Sequence, residues 1–229
     1  MLKYQINFLL VFMMLTFSSN LYAQKDITQF LGIPVDGSKS EMIKKLRDKG
    51  FTTNPNDKDV LVGEFNGTKV NIHVVTNNNK VYRIAVADAN TMDEASIRIR
   101  FNKLCQQFQD NKKYISGSDS EYQIPEDEDI SLELTVKNKQ FEAVFYQQPL
   151  EIDSDTNVKE FQDFLLSKYT KEELSNFTEE DGQKEATMYA LDKTTKKAVW
   201  FKIFKVRYGE YNIIIYYDNE YNRANGEDL

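Results

Sequence analysis

"VLVGEFNGTKVNIHVVTNNNKVYRIAVAD", Val60 to Asp88, holds three short runs rich in β-branched and aromatic residues, broken by two asparagine-rich turns. Such runs, bounded by turn residues, read as β-strands. Asn66-Gly67 suits a two-residue hairpin, because both central positions of that turn require positive φ. In that register Glu64 faces Lys69, a favourable cross-strand pair, and Val60 faces His73. A second turn at Asn78-Asn79 places His73 opposite Ile84. The stretch therefore predicts a three-stranded antiparallel meander. One face carries Val60, Val62, Asn71, His73, Val75, Tyr82, Ile84 and Val86. The other carries Leu61, Val70, Ile72, Val74, Val81, Ala85 and Ala87. Both faces are largely apolar, so both are expected to be covered.

Upstream, "GIPVDGSKSEMIKKLRDKGF" (Gly32 to Phe51) reads as a helix docked on that sheet. Ser38 and Glu41 make a capping box. Met42, Ile43 and Leu46 form its apolar face, and Gly50 supplies a left-handed stop with Phe51 packing back on the last turn. Downstream, "TMDEASIRIRFNKLCQQFQDN" (Thr91 to Asn111) predicts a longer helix, capped by Thr91 and Glu94. Ile97, Phe101, Leu104, Cys105 and Phe108 recur at helical spacing and mark its buried stripe.

"KYISGSDSEYQIPEDEDIS" (Lys113 to Ser131) is an acidic, turn-rich connector. A hairpin is expected after it, from Ile130 to Val136 and Phe141 to Tyr146, turning at Asn138-Lys139. Helices follow, with Val158, Phe161, Phe164 and Leu165 inward and a restart at Thr170 and Glu173. The chain ends in a second meander. Its last hairpin is expected to turn at Gly209-Glu210 and to pair Tyr208 with Tyr211, Val206 with Ile213 and Phe204 with Ile215. Phe201, Ile203, Ile214 and Tyr216 then lie on the opposite face. Helix followed by three strands recurs near 38–88 and 157–218, so two similar units are an expectation at the level of element order.

The first residues, "MLKYQINFLLVFMMLTFSSNLYAQKD", have the layout of a secretory signal peptide: Lys3, an apolar run from Phe8 to Phe17, then a polar stretch with Ala23. The run is shorter than the roughly twenty residues a membrane-spanning helix needs. Cleavage after Ala23 leaves about 206 residues and takes the formal charge from −7 to −8. The expected organisation is a signal peptide over 1–23, a helix-meander-helix unit over 24–112 and a hairpin-helix-meander unit over 113–229, which can join as one domain. An acidic chain lacks the basic face that nucleic acid or anionic lipid requires. Cys105 is the single cysteine, so no internal disulfide forms.

The chemistry-bearing residues are sparse. His73, the single histidine, sits in a strand without metal-ligand or nucleophile spacing, and one histidine with one cysteine cannot make a zinc cluster. On a mostly apolar face its charged form is disfavoured and one hydrogen-bond partner is expected. "DSDTNVKEFQDF" (Asp153 to Phe164) begins like a calcium loop. It then has Val158 where glycine belongs and Phe164 where glutamate belongs, so it reads as a helix start. "PEDEDIS" (Pro125 to Ser131) reads as a solvated acidic loop. Trp200, Tyr208, Tyr211, Tyr216, Tyr217 and Tyr221 gather near the last hairpin. Most are expected in the sheet, with Tyr217 and Tyr221 as the exposed exceptions. No catalytic, cofactor-binding or metal-ligating residue is assigned.

The stretches "FLGIPVDGSKSEMIKKLRDKGF", "GEFNGTKVNIHVVTNNNKVYRIAV" and "IIIYYDNEYNRANGEDL" resemble a group of uncharacterised exported proteins of Bacteroidota, to which no activity is attached. The element order more loosely resembles the β-lactamase-inhibitor-protein-like architecture, which implies fold and not function. The reading is an α+β protein of antiparallel three-stranded meanders packed against helices, exported to the periplasm or exterior. Its expected role is a non-catalytic, inhibitor-like binding protein with a protein or glycan partner and no cofactor. A carboxylate-based hydrolase of glycan or peptidoglycan and a glycan-binding module are the alternatives.

Overall fold

The computed structural model describes residues 26–118, 122–149 and 154–224. The expected signal peptide with its cleavage site, and Asp153, lie outside them. Strands β1 (Gln29–Phe30) and β2 (Ile33–Pro34) form a small hairpin, followed by helix α1 (Lys39–Asp48). A meander of β3 (Thr52–Asn54), β4 (Asp57–Phe65), β5 (Thr68–Asn77) and β6 (Lys80–Asp88) comes next. Helix α2 (Glu94–Asp110) crosses to β7 (Tyr114–Ser116), and the short α3 (Ile130–Thr135) precedes β8 (Glu142–Gln147). Helices α4 (Ser154–Lys168), α5 (Lys171–Ser175) and α6 (Glu179–Thr195) then lead to β9 (Ala198–Arg207) and β10 (Glu210–Asp218).

The α+β class holds, but the strands do not form separate three-stranded sheets. β6 pairs with β10, so the two halves share one antiparallel eight-stranded sheet of order β3-β4-β5-β6-β10-β9-β8-β7. The second unit is also not helix followed by three strands. Only β9 and β10 follow its helices, and the third strand, β8, precedes them.

Two expected registers shift, and one expected strand is a helix. Val75 pairs with Arg83 but Thr76 with Val81, so Tyr82 is an extra, bulged residue. One extra residue flips every later side chain to the other face. His73 therefore faces Ala85, and Ile84 and Val86 point inward where Ala85 and Ala87 were expected. In the last hairpin Arg207 pairs with Glu210, Gly209 takes φ +68°, and a second irregularity follows at Tyr211. Ile215 consequently faces Phe201, and Ile213 faces Ile203. The segment Ile130–Thr135 is helix rather than strand. The Asp129 carboxylate accepts from Leu132 N at 2.8 Å, and Glu94 Oε1 accepts from Ile130 N at 2.8 Å. Glu94 is thus engaged elsewhere, and Asp93, accepting from Ser96 N at 2.7 Å, caps α2 instead of Thr91.

The inner face packs Leu61, Ile72, Val86, Ile215 and Phe201 against Met42 and Leu46 of α1 and Ile97, Phe101 and Leu104 of α2. Each fully buried aliphatic side chain contributes roughly 1.5–3 kcal/mol. The expected stripe of α2 is buried in full, Cys105 and Phe108 included. On α4, Phe161, Phe164 and Leu165 are half-buried, but Val158 is exposed. The sheet coils around its helices. Along the ladder, Phe65 lies three strands and six residues from Tyr217, about 24 Å apart in a flat sheet. Their ring centroids are 6.5 Å apart, with Phe30 of β1 packed between them at 5.3 and 4.8 Å.

Gly63 marks the tightest approach. A Cβ there would lie 2.4 Å from the ring of buried Phe51. Gly63→Ala is expected to cost about 1–3 kcal/mol by overpacking, read as a lower urea midpoint, and Phe51→Leu added to it should restore part of the loss. The cap carboxylates carry a pH signature. Amide and hydroxyl donation from Ser38, Thr170 and Thr178 holds Glu41, Glu173 and Asp181 below the usual carboxylate range. A lowered folded pKa gives stability present above the unfolded value of about 4 and lost as pH falls through the folded one. Urea midpoints measured downward from pH 6 should therefore hold until about pH 4 and fall below it.

Candidate functional site

The sheet's outer face alternates with the buried one, and its side chains stay partly open. One row across it reads Val60, His73, Ala85, Tyr216, Trp200, Val144. Of these His73 is exposed, Tyr216, Trp200 and Val144 are half-buried, and Val60 and Ala85 are buried. Val62, Ala87, Ile214, Phe204 and Tyr146 surround that row, all half-buried. The face is thus apolar and aromatic yet reachable.

At its centre lies a clamp. The Tyr82 bulge turns Arg83 outward, and β6–β10 pairing sets it against Asp218. Arg83 donates to both Asp218 oxygens, Nε to Oδ1 at 2.6 Å and the terminal nitrogen to Oδ2 at 2.7 Å. Trp200 Nε1 donates to Oδ2 at 2.9 Å, and the hydroxyl of Thr28 donates to the Asp218 carbonyl. The Trp200 and Tyr216 rings stack at 4.2 Å, and the guanidinium carbon sits 4.7 Å from the Tyr216 centroid. Hydrogen bonding to Asp218 pushes the Arg83 pKa up against the effect of burial. Burial raises the Tyr216 phenol, which the facing Arg83 charge partly offsets. Both aromatic rings are held in one geometry by stacking, by the indole hydrogen bond and by the cation.

His73 lies on this face, one strand from the clamp, and is exposed rather than enclosed. The apolar cover expected over it is not what the described residues provide. Cys105 is buried on α2, and burial pushes its thiol up to about 12, so it stays an inert thiol at neutral pH. The acidic run is dispersed: Asp129 caps α3, and Glu128 engages Lys139 through its carboxylate and Arg98 through its carbonyl. Among the described residues no cluster of three His, Cys, Asp or Glu could hold a metal ion. Of the two tyrosines expected to be exposed, Tyr217 is buried on the inner face and Tyr221 is half-buried. Tyr208 at the β9–β10 turn is the open one, 92% exposed. Sequence patterning singled out Trp200 and Tyr216 but missed Arg83 and Asp218, whose 135-residue separation hides the pair.

Comparison with protein-family models, with curated proteins and with solved structures returned no match to this chain.

The clamp can be tested through the chain's single tryptophan. Arg83→Met leaves Asp218 buried without its cation, at an expected cost of about 3 kcal/mol. It should also shift Trp200 emission to longer wavelength as the ring loosens into water; unchanged emission would count against the clamp.

Proposed function

We propose that this is an exported, non-catalytic binding protein that engages a partner through the outer face of its sheet, in an inhibitor-like manner. The supporting observation is the half-open aromatic and aliphatic face, with Trp200 and Tyr216 held rigid at its centre by Arg83 and Asp218. Tryptophan, tyrosine and arginine are the side chains that dominate interface energies, and rigid ones lose little entropy on binding. The six longer strands, at ~4.8 Å spacing, make a face of the order of the ~800 Å² that a standard interface buries on each partner.

The Trp200–Tyr216 stack also favours a second reading, a glycan-binding module in which a sugar ring lies on the exposed aromatic surface. Both readings use one surface and differ in what it retains.

The test is retention of a partner by the mature protein from its native envelope and secreted fraction. Trp200→Ala and Ile214→Asp should each abolish retention while the far-ultraviolet spectrum stays native, and Tyr208→Ala should not. Equal retention by all four proteins would overturn the outer-face reading. Quenching of Trp200 fluorescence by soluble envelope glycans, with no protein retained, would select the glycan reading.

A further inference from the structure

On the opposite, helical side a trough opens beneath the β1–β2 hairpin. It consists of two adjoining cavities of about 610 and 790 Å³ that share Leu31, Phe65, Asn111, Tyr114 and Tyr217. Cavities of this size are typical of small-molecule sites. The floor of the first is apolar, formed by Phe51, Leu104 and Phe108 with the shared aromatic rings. Glu64 and Lys49 both line the first as well, whereas the second, also largely apolar, is lined among the described residues by Lys112, Lys113 and Lys197 and by no carboxylate. That is an unusual local balance in a chain of formal charge −7.

The three lysines are not equivalent. Lys197 is buried and already paired with Asp26 at 2.7 Å. Lys112 and Lys113 are exposed and make no ion pair among the described residues. Their backbone is fixed: Lys113 N donates to Asn111 Oδ1 at 3.1 Å, Tyr114 N to the Asn111 carbonyl at 2.9 Å, and Gln148 N to the Lys113 carbonyl at 2.8 Å. Two free ammonium groups therefore stand on a rigid loop at the rim of an apolar trough.

Leu31 provides an independent sign. It turns the β1–β2 hairpin at φ +52°, ahead of Gly32 at +77°. Asparagine or glycine is the usual residue there, and a leucine is strained in that conformation. The other described non-glycine residues with positive φ, Asn66, Asn78, Asn79 and Asn138, are all asparagines. Leu31 is also 40% exposed, so core packing does not account for it. It sits over both cavities, where an apolar ligand would cover it. Observed strain at a cavity mouth argues for a function there.

We infer that the trough binds an amphiphilic anion, an acyl-type apolar body carrying one acidic head group. The body lies on Phe65, Tyr114 and Tyr217 beneath Leu31, and the head pairs with Lys112 and Lys113. Charge-assisted hydrogen bonds to the head and burial of the body both contribute to affinity.

Isothermal titration of the mature protein with monomeric dodecanoate tests this. Dodecanoate should bind with one-to-one stoichiometry, and dodecanol, lacking the charge, at least tenfold more weakly. The double variant Lys112→Glu/Lys113→Glu should weaken dodecanoate at least tenfold with an unchanged melting temperature. Leu31→Asn should raise the melting temperature, by relieving the turn, and still weaken binding. No binding at millimolar dodecanoate, equal binding of dodecanol, or undiminished binding by the lysine variant would each overturn the proposal. Sedimentation with anionic phospholipid vesicles in place of dodecanoate binding would overturn it too, by assigning the lysines to a membrane surface. None of these results bears on the outer-face reading, which concerns the other side of the sheet.

Discussion

The single extra residue at Tyr82 sets the organisation of the whole sheet. Without it, Asn78-Asn79 would put Ile84 and Val86 on the outer face and two alanines on the inner one. With it, Ile84 and Val86 join Ile72 and Val74 in the core, and the alanines face out. Exchanging two alanines for an isoleucine and a valine at core positions is favourable by a few kcal/mol, at roughly 0.8 kcal/mol per buried methylene. The bulge itself costs a ladder bond. That loss is offset in part because the Tyr82 carbonyl accepts from Asn219 N at 2.7 Å.

The same displacement turns Arg83 outward at the strand where the two halves of the chain meet. Asp218 is almost fully buried there and would be unfavourable as a lone carboxylate. Two bonds from Arg83 and one from Trp200 compensate it, and its carbonyl ties the N-terminal segment through Thr28. The pairing of β6 with β10, the placing of Trp200 and the docking of β1 thus meet at one residue. A buried ion pair of this kind is weak evidence of net stability. Its clearer effect is geometric, because it fixes which ring stands where on the outer face.

Much of this was legible locally. Ser38 with Glu41, Gly50, Asn66-Gly67 and the stripe from Ile97 to Phe108 are short-range patterns, and each is found as the sequence implies. The errors share one cause. Whether Tyr82 bulges, whether Val206 keeps register and whether 130–135 is strand or helix depend on partners far along the chain: β10, Met92, which bridges Tyr211 at the irregularity, and Glu94. Tyr217 was expected outside for the same reason: its face follows from a register that only the β6–β10 pairing sets. Of the candidate site, the aromatic supply near the C-terminus was visible, but the residues that hold it were not. An arginine and an aspartate 135 positions apart carry no local signature.

The edges of the sheet favour the outer face, rather than a strand, as the surface used in the proposed binding role. An exposed edge presents unpaired backbone groups that recruit any extended chain, and proteins blunt it with short strands. Here both edge strands, β3 and β7, have only three residues. Strand addition would find little ladder to extend. In the proposed binding role a partner would instead read side chains across the face, where specificity depends on their holding one arrangement. That requirement gives the Arg83–Asp218 pair its importance: it converts two half-exposed aromatic rings from mobile apolar surface into a defined shape. On the inner side the coiling of the sheet does the opposite work, bringing Phe65 over to Tyr217 and leaving the trough between the β1–β2 hairpin and the end of α2. One bulge and one curl thus make two chemically distinct surfaces from a single antiparallel sheet, one open and aromatic, the other recessed and basic at its rim.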